Sequence, residues 1–152
     1  MIRPDRLEHA VTIVRVVDAT PDEVYAAWTE PALMRRWLAT VVEADVRVGG
    51  RFRLECHEED GSINLFTGEY RALEPGRRIV KTFVNEATPA GAYQDEQVEV
   101  ILRALPDGRT ELTLRNGWNG LGPTPDEVGG LEQGWNAWID LLDRAVARGI
   151  PG

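Results

Sequence analysis

From about Val41 to Arg115 the chain has no apolar repeat at helical spacing, only short alternating runs broken by turn residues. Val42, Ala44, Val46 and Val48 alternate with Glu43, Asp45 and Arg47, the pattern of a strand with one wet face. Gly49-Gly50 breaks the run, and Phe52, Leu54 and Cys56 then alternate with Arg51, Arg53 and Glu55. A turn at Glu59–Ser62 leads into a strand from Ile63 to about Leu73. There Ile63 and Leu65 point to one face and Phe66 and Tyr70 to the other. A bulge near Gly68 would reconcile them, because a one-residue slip exchanges the faces of a strand. Pro75-Gly76 turns the chain into a strand from Ile79 to Val84. Val98, Val100 and Leu102 are the dry face of another, and Leu112 and Leu114 continue after Pro106-Asp107-Gly108. Strands joined by such short turns pair antiparallel, since parallel pairs need a crossover segment between them.

A sheet with one dry face has to bury it against something. The only element long enough is the segment from Asp126 to about Arg148, where Val128, Leu131, Trp135, Trp138, Ile139, Leu142 and Ala145 fall at helical spacing. Thr124 before Pro125 starts this helix, and Gly129-Gly130 moves its firm beginning toward Leu131. The opening stretch Ala10–Leu38 supplies the rest. Val11, Ile13, Val14, Val16 and Val17 make a β-branched strand. Thr20, Pro21 and Glu23 form a capping box for a helix with Val24, Ala27 and Trp28 on one face. Pro31 restarts a second short helix ending near Trp37. The fold class expected is α+β, with about six or seven antiparallel strands, two short helices after strand 1 and one long C-terminal helix across the sheet. A single domain over residues 1–152, with its core at about 10–148, is expected from the length.

This order resembles the helix-grip fold of the START/SRPBCC superfamily, to which the major birch-pollen allergen belongs. Within it the chain is similar to the AHSA branch, named for the activator of the heat-shock protein 90 ATPase. Ala27, Thr29, Glu30, Pro31 and Trp37 match that branch's A-x-T-[DE]-P motif and its following Trp. DVRVGGRFRL, GEYRALEPGRRIVKTF, DGRTELTLRN and EQGWNAWIDLLDRAV match its segments in order. The resemblance implies a ligand-holding cup, although this fold hosts carriers, cyclases and cochaperones alike.

Composition narrows the partners. A net charge of −8 argues against nonspecific nucleic-acid or anionic-membrane binding. No apolar run approaches the ~20 residues of a membrane span, so no membrane insertion is expected. The opening MIRPDRLEH lacks a signal peptide's apolar run, and one cysteine allows no internal disulfide. The expectation is a cytoplasmic protein. His9, placed in a frayed arm, and His57, on a polar face, make no zinc spacing with Cys56. Cys56 has no cationic neighbour in sequence to activate it, and no phosphate-cradling glycine loop stands between a strand and a helix. No cofactor, no metal site and no catalytic residue is expected.

The aromatic residues carry the remaining signal. The candidate cavity set is Phe52, Leu54, Cys56, Phe66, Tyr70, Trp118, Trp135, Trp138, Ile139 and Leu142, with Trp118 placed on a glycine-rich loop at the mouth. Asn85–Tyr93 and Asn116–Thr124 are read as mobile loops bordering that mouth. Two departures from the family pattern bear on chemistry. Asn116 stands where a histidine is common, removing a general base, and Lys81 stands where an apolar residue is common. Lys81 is expected to point outward, as lysines mostly do. The first reading is therefore a binder of a small apolar or amphipathic molecule. An aromatase/cyclase-like enzyme is the alternative, with Glu69, Tyr70, Lys81 and Glu99 as its acid–base candidates. A module stimulating a chaperone ATPase is a further alternative, weakened because the activator resembled has a separate N-terminal domain. A homodimer is compatible with all of them.

Overall fold

Alternation and capping translate directly into elements. In the computed structural model, which describes residues 6–88, 91–121 and 124–146, the chain order begins β1 (His9–Val17), α1 (Pro21–Thr29), α2 (Pro31–Met34) and β2 (Val41–Ala44). It continues β3 (Arg51–His57), β4 (Ile63–Glu74), β5 (Arg78–Thr82) and β6 (Val84–Asn85). It ends β7 (Gln94–Ala104), β8 (Thr110–Asn119) and α3 (Pro125–Val146). The strands form one 8-stranded sheet in the order β1-β8-β7-β5-β4-β3-β2, with β6 paired to β4. Every ladder is antiparallel. The α+β helix-grip arrangement expected from the sequence is the one observed. Pro89 and Ala90 of the first expected loop, Gly122 and Pro123 of the second, and Ala147 and Arg148 of the expected helix end lie outside the described residues.

The capping box at α1 is complete. The Glu23 backbone N–H donates to Thr20 Oγ1 at 3.2 Å, and Thr20 N–H donates to Glu23 Oε1 at 3.0 Å. A similar pair starts α3, where Glu127 N–H donates to Thr124 Oγ1 at 3.3 Å and Thr124 N–H to Glu127 Oε2 at 3.2 Å. That cap holds the first turn in place, so the helix runs from Pro125 through Gly129-Gly130 instead of beginning near Leu131. Trp135, Ile139 and Leu142 are buried along its inner face. They meet Val11, Ile13, Phe52, Leu54, Ile79, Val98, Val100, Leu112 and Leu114 from the sheet in one core. Arg15 ties β1 to the helix flank, donating to Asn136 Oδ1 at 3.1 Å and pairing with Asp140.

Several local expectations are corrected. β2 stops at Ala44, and Val46 and Val48 are exposed, because the chain turns at Asp45–Gly50 with Gly50 N–H bonded to Arg47 O. Only glycine fits at position 50, since a Cβ there would lie 1.9 Å from Asp45 O. Phe66 and Tyr70 face the core, and the register shift that frees the rest of β4 falls between Tyr70 and Ala72, not at Gly68. Gly68 has a different role: a Cβ on it would meet the Phe52 ring at 2.5 Å. Residues Asn116–Asn119 are strand, not loop, because β8 pairs with β1 as far as His9↔Trp118 and with β7 as far as Gln94↔Asn119. His9 is likewise no frayed arm, lying in β1 with its ring stacked 5.8 Å from that of Trp118.

Lys81 is the largest correction. Ile79, Lys81 and Phe83 share the inward parity of β5 and the residue after it, and Lys81 is only 1% exposed. Its Nζ lies 5.2 Å from the Trp28 ring centroid, 4.9 Å from Phe52 and 5.9 Å from Phe83. No carboxylate pairs with it among the described residues. Burial alone pulls its pKa down to about 8. The aromatic faces are what tolerate the charge, through their negative quadrupoles.

Candidate functional site

A cavity of about 880 Å³ lies between α3 and the concave face of the sheet. That is within the range of ~300–1,000 Å³ typical of small-molecule sites. Leu131, Gly134, Trp135, Trp138 and Leu141 of α3 form one wall. Trp37 and Leu38 after α2, Cys56 of β3, Phe66 of β4 and Phe83 form the facing wall. The aromatic rings make a continuous surface. Phe66 stacks on Phe83 at 4.9 Å, Phe83 meets Trp135 at 5.6 Å, and Trp135 meets Trp138 at 4.9 Å. Two indole N–H groups are satisfied by backbone carbonyls: Trp138 donates to Leu38 O at 3.1 Å and Trp37 to Ala27 O at 2.9 Å. What remains facing inward is mostly apolar.

The exception is a polar chain on β7 and β8. Trp135 Nε1–H donates to Asn116 Oδ1 at 3.2 Å, and Asn116 Nδ2–H donates to Glu96 Oε2 at 2.9 Å and to Gln97 O at 3.2 Å. One donor and two acceptors around Asn116 fix which way its amide points. Glu96 and Asn116 both line the cavity. Burial raises the Glu96 pKa to about 7, against the lowering effect of the Asn116 hydrogen bond.

A β-bulge puts this carboxyl where it is. Gln94 pairs with Asn119 and Gln97 with Gly117, so Asp95 and Glu96 together oppose Trp118. Asp95 adopts φ 55°, a left-handed conformation that a short polar side chain accepts best among non-glycine residues, and Asn119 Nδ2–H bonds its carboxylate at 3.2 Å. Tyr93, at φ 51°, sits against Trp118 with centroids 5.1 Å apart and lines the cavity next to Glu96. Two left-handed non-glycine residues thus stand beside the half-buried acid, as is common at functional sites.

Among the candidates from sequence, Cys56, Phe66, Trp135 and Trp138 line the cavity. Phe52, Leu54, Tyr70, Trp118, Ile139 and Leu142 are buried in the packed core outside its lining. Trp118 lies in β8 rather than on a loop, one layer behind Tyr93, and its Nε1–H has no partner among the described residues. The Cys56 thiol donates to Leu38 O at 3.3 Å, and burial, with a smaller effect from the Glu58 charge, pushes its pKa up to about 11. That describes an inert thiol. Among the described residues no group of three or more His, Cys, Asp or Glu is placed to hold a metal ion, and no helix is long and apolar enough to cross a membrane.

A profile of the Activator of Hsp90 ATPase homolog 1-like protein family matches residues 18–147. The chain belongs to that family. A solved structure of protein CV1439 from Chromobacterium violaceum is similar over 90% of this chain and 96% of its own, with 27% identity and a TM-score of 0.75. The Aha1 dimer from Colwellia psychrerythraea shares the fold at a TM-score of 0.73, covering 94% of this chain and 99% of its own at 15% identity. An uncharacterized fission yeast protein, C1711.08, is 27% identical over 65% of this chain. The match spans about a third of that relative's length, 31%.

For this family member the acid–base candidates read from sequence are not the ones in the cavity. Glu69 lies near Arg71 at 3.6 Å, Glu99 pairs with Arg78 at 2.8 Å, and Tyr70 and Lys81 lie in the core. Glu96 was the missed residue. It shares parity with Val98, Val100 and Leu102, so a charged residue on an otherwise dry face was the available signal. Tyr93 was read as part of a loop and lies just before β7, and Phe83, read within a strand, falls between β5 and β6.

Proposed function

We propose that this protein binds a small apolar or amphipathic molecule in the cavity between α3 and the sheet. The observation that carries the reading is an 880 Å³ space walled by Phe66, Phe83, Trp135 and Trp138, with the Glu96 carboxyl hydrogen-bonded by Asn116 on its polar side. Apolar walls supply most of the binding free energy, at roughly 25 cal/mol per Å² of ligand surface removed from water, and a few polar atoms set orientation. The test is titration with N-phenyl-naphthylamine, a neutral dye whose excitation overlaps tryptophan emission. Saturable quenching of Trp135 and Trp138 at one dye per chain is expected, and it should be lost in Gly134→Trp, which fills the space. Absence of saturable quenching in the unmodified protein would overturn the reading.

A cyclase-like enzyme is the second reading, favoured by one observation. Glu96 is a half-buried carboxyl on the cavity wall whose pKa desolvation raises to about 7, which suits a general base or acid. Its test is turnover of an enolisable ligand that is lost in Glu96→Gln while binding persists.

A further inference from the structure

The cavity lining is mostly apolar, yet the half-buried Glu96 carboxyl on it has no cationic partner among the described residues. Glu96 Oε2 accepts from Asn116 Nδ2 at 2.9 Å, and no Lys, Arg or His pairs with the carboxylate among the described residues. A carboxylate partly withdrawn from water without a counter-charge is costly, and this one follows Asp95, whose backbone is left-handed. The aromatic rings that line the same space have centroids 4.9–5.6 Å from one another, and aromatic faces attract cations that have shed their water. The same fold shows the principle a few ångströms away, where Lys81 is buried against Trp28, Phe52 and Phe83 without a carboxylate. The net charge of −8 adds a long-range field of the same sign preference.

We infer that the cavity selects an organic cation, an ammonium or amidinium carried on an apolar body, with Glu96 as counter-ion and the Trp135–Phe83–Phe66 faces as its aromatic bed. This rests on the ligand-binding reading above and names the chemistry of the ligand. Other ionisable groups share the space. Arg35 and Arg36 after α2, and Cys56, His57 and Glu58 at the end of β3, line it too, and His57 is already paired with Glu55 at 3.2 Å. Tyr93 stands beside Glu96, and Glu127, at the start of α3, lies close enough to act on Tyr93. From α3 itself only Leu131, Trp135 and other uncharged residues face the cavity. The apolar body therefore lies along α3, with its charged end at β7 and its far end toward the guanidinium side, where a neutral or anionic substituent fits.

The experiment is displacement of bound N-phenyl-naphthylamine by three matched competitors: naphthylmethyl-trimethylammonium, its neutral isostere neopentylnaphthalene, and naphthylmethanesulfonate. The quaternary ion keeps its charge at every pH, so any pH dependence belongs to the protein. A carboxyl titrating near 7 is ionised in about one molecule in thirty at pH ~5.5 and in most at pH ~8. The ammonium competitor should gain at least tenfold in affinity over that interval, with a midpoint near neutrality, while the neutral isostere stays flat and the sulfonate weakens. Glu96→Gln keeps an acceptor for Asn116 and should abolish the ammonium's gain without weakening the neutral isostere. His57→Gln should leave the gain intact, although that side chain also lines the space. Equal displacement by ammonium and neutral isostere at pH ~8 would overturn the inference, as would a gain that survives Glu96→Gln. If Glu96→Gln fails to fold, the three competitors on the unmodified protein still decide between selection and indifference. Failure of the dye itself to bind would overturn the ligand-binding reading and the cation selection together.

Discussion

Lys81 is the residue whose environment departs furthest from what its type prefers. Its ammonium is enclosed by Trp28, Phe52 and Phe83 and has no counter-ion among the described residues. Cation–π contacts return part of the lost hydration, while burial lowers the pKa to about 8. From the ordinary lysine value of 10.5, that shift corresponds to a penalty on the order of 3 kcal/mol at neutral pH. Lys81→Met keeps the length of the side chain and removes the charge. It should stabilise the protein by on the order of 2 kcal/mol at pH ~7, measured by urea denaturation. A loss of stability would mean that the amine has a structural partner. Asn116 shows the opposite case, a buried polar residue with every strong group satisfied. Its amide spends one acceptor on Trp135 and both donors on Glu96 and Gln97, so it has become a fixed part of the cavity wall.

At the scale of elements, α3 carries a contradiction that the cavity explains. Gly129, Gly130 and Gly134 are all helical, and each costs the helix ~1 kcal/mol relative to Ala. A Cβ at any of the three would meet nothing within 4 Å. Gly130 and Gly134 line the cavity, whereas Gly129 does not. The two lining glycines therefore keep space open at the expense of helix stability. Gly129→Ala should raise stability by ~1 kcal/mol and leave dye affinity unchanged. Gly134→Leu should stabilise the helix by a similar ~1 kcal/mol while weakening the dye at least tenfold, because its side chain enters the cavity. Parallel denaturation and titration of the two variants check the split. Equal dye affinity in both would mean that the space beside Gly134 is not where the ligand lies. The β7 bulge is the matching device on the sheet, since the extra residue at Asp95 keeps Glu96 beside Trp118's layer and turned inward.

For the whole molecule, the sequence made the architecture legible through patterns that repeat. Alternation at Phe52–Cys56 and Val98–Leu102, the box at Thr20–Glu23 and the helical spacing of Trp135, Ile139 and Leu142 each involve several residues agreeing. The polar part of the site was not legible because it depends on single residues in irregular places. Glu96 follows a bulge, Phe83 falls between β5 and β6, and Lys81 is inward because three aromatic faces from separate elements converge on it. Those two misplaced charges should together shape stability against pH. Glu96 has a folded pKa raised to about 7, so between ~4.5 and ~7 the folded state holds more protons than the unfolded one and stability falls as pH rises. Lys81 has a folded pKa lowered to about 8, so between ~8 and ~10 the unfolded state holds more protons and stability rises with pH. Above ~10 the raised pKa values of Tyr25, Tyr70 and Tyr93 turn the curve down again, because the unfolded tyrosines ionise first. The expected profile has a shallow minimum near pH ~7–8, where both penalties are present in full. Glu96→Gln should flatten its acid side and Lys81→Met its alkaline side, each leaving the other limb in place. Thermal melts of the three proteins from pH ~5 to ~10 test this. A single maximum near neutrality in the unmodified protein would show that neither charge is buried as described.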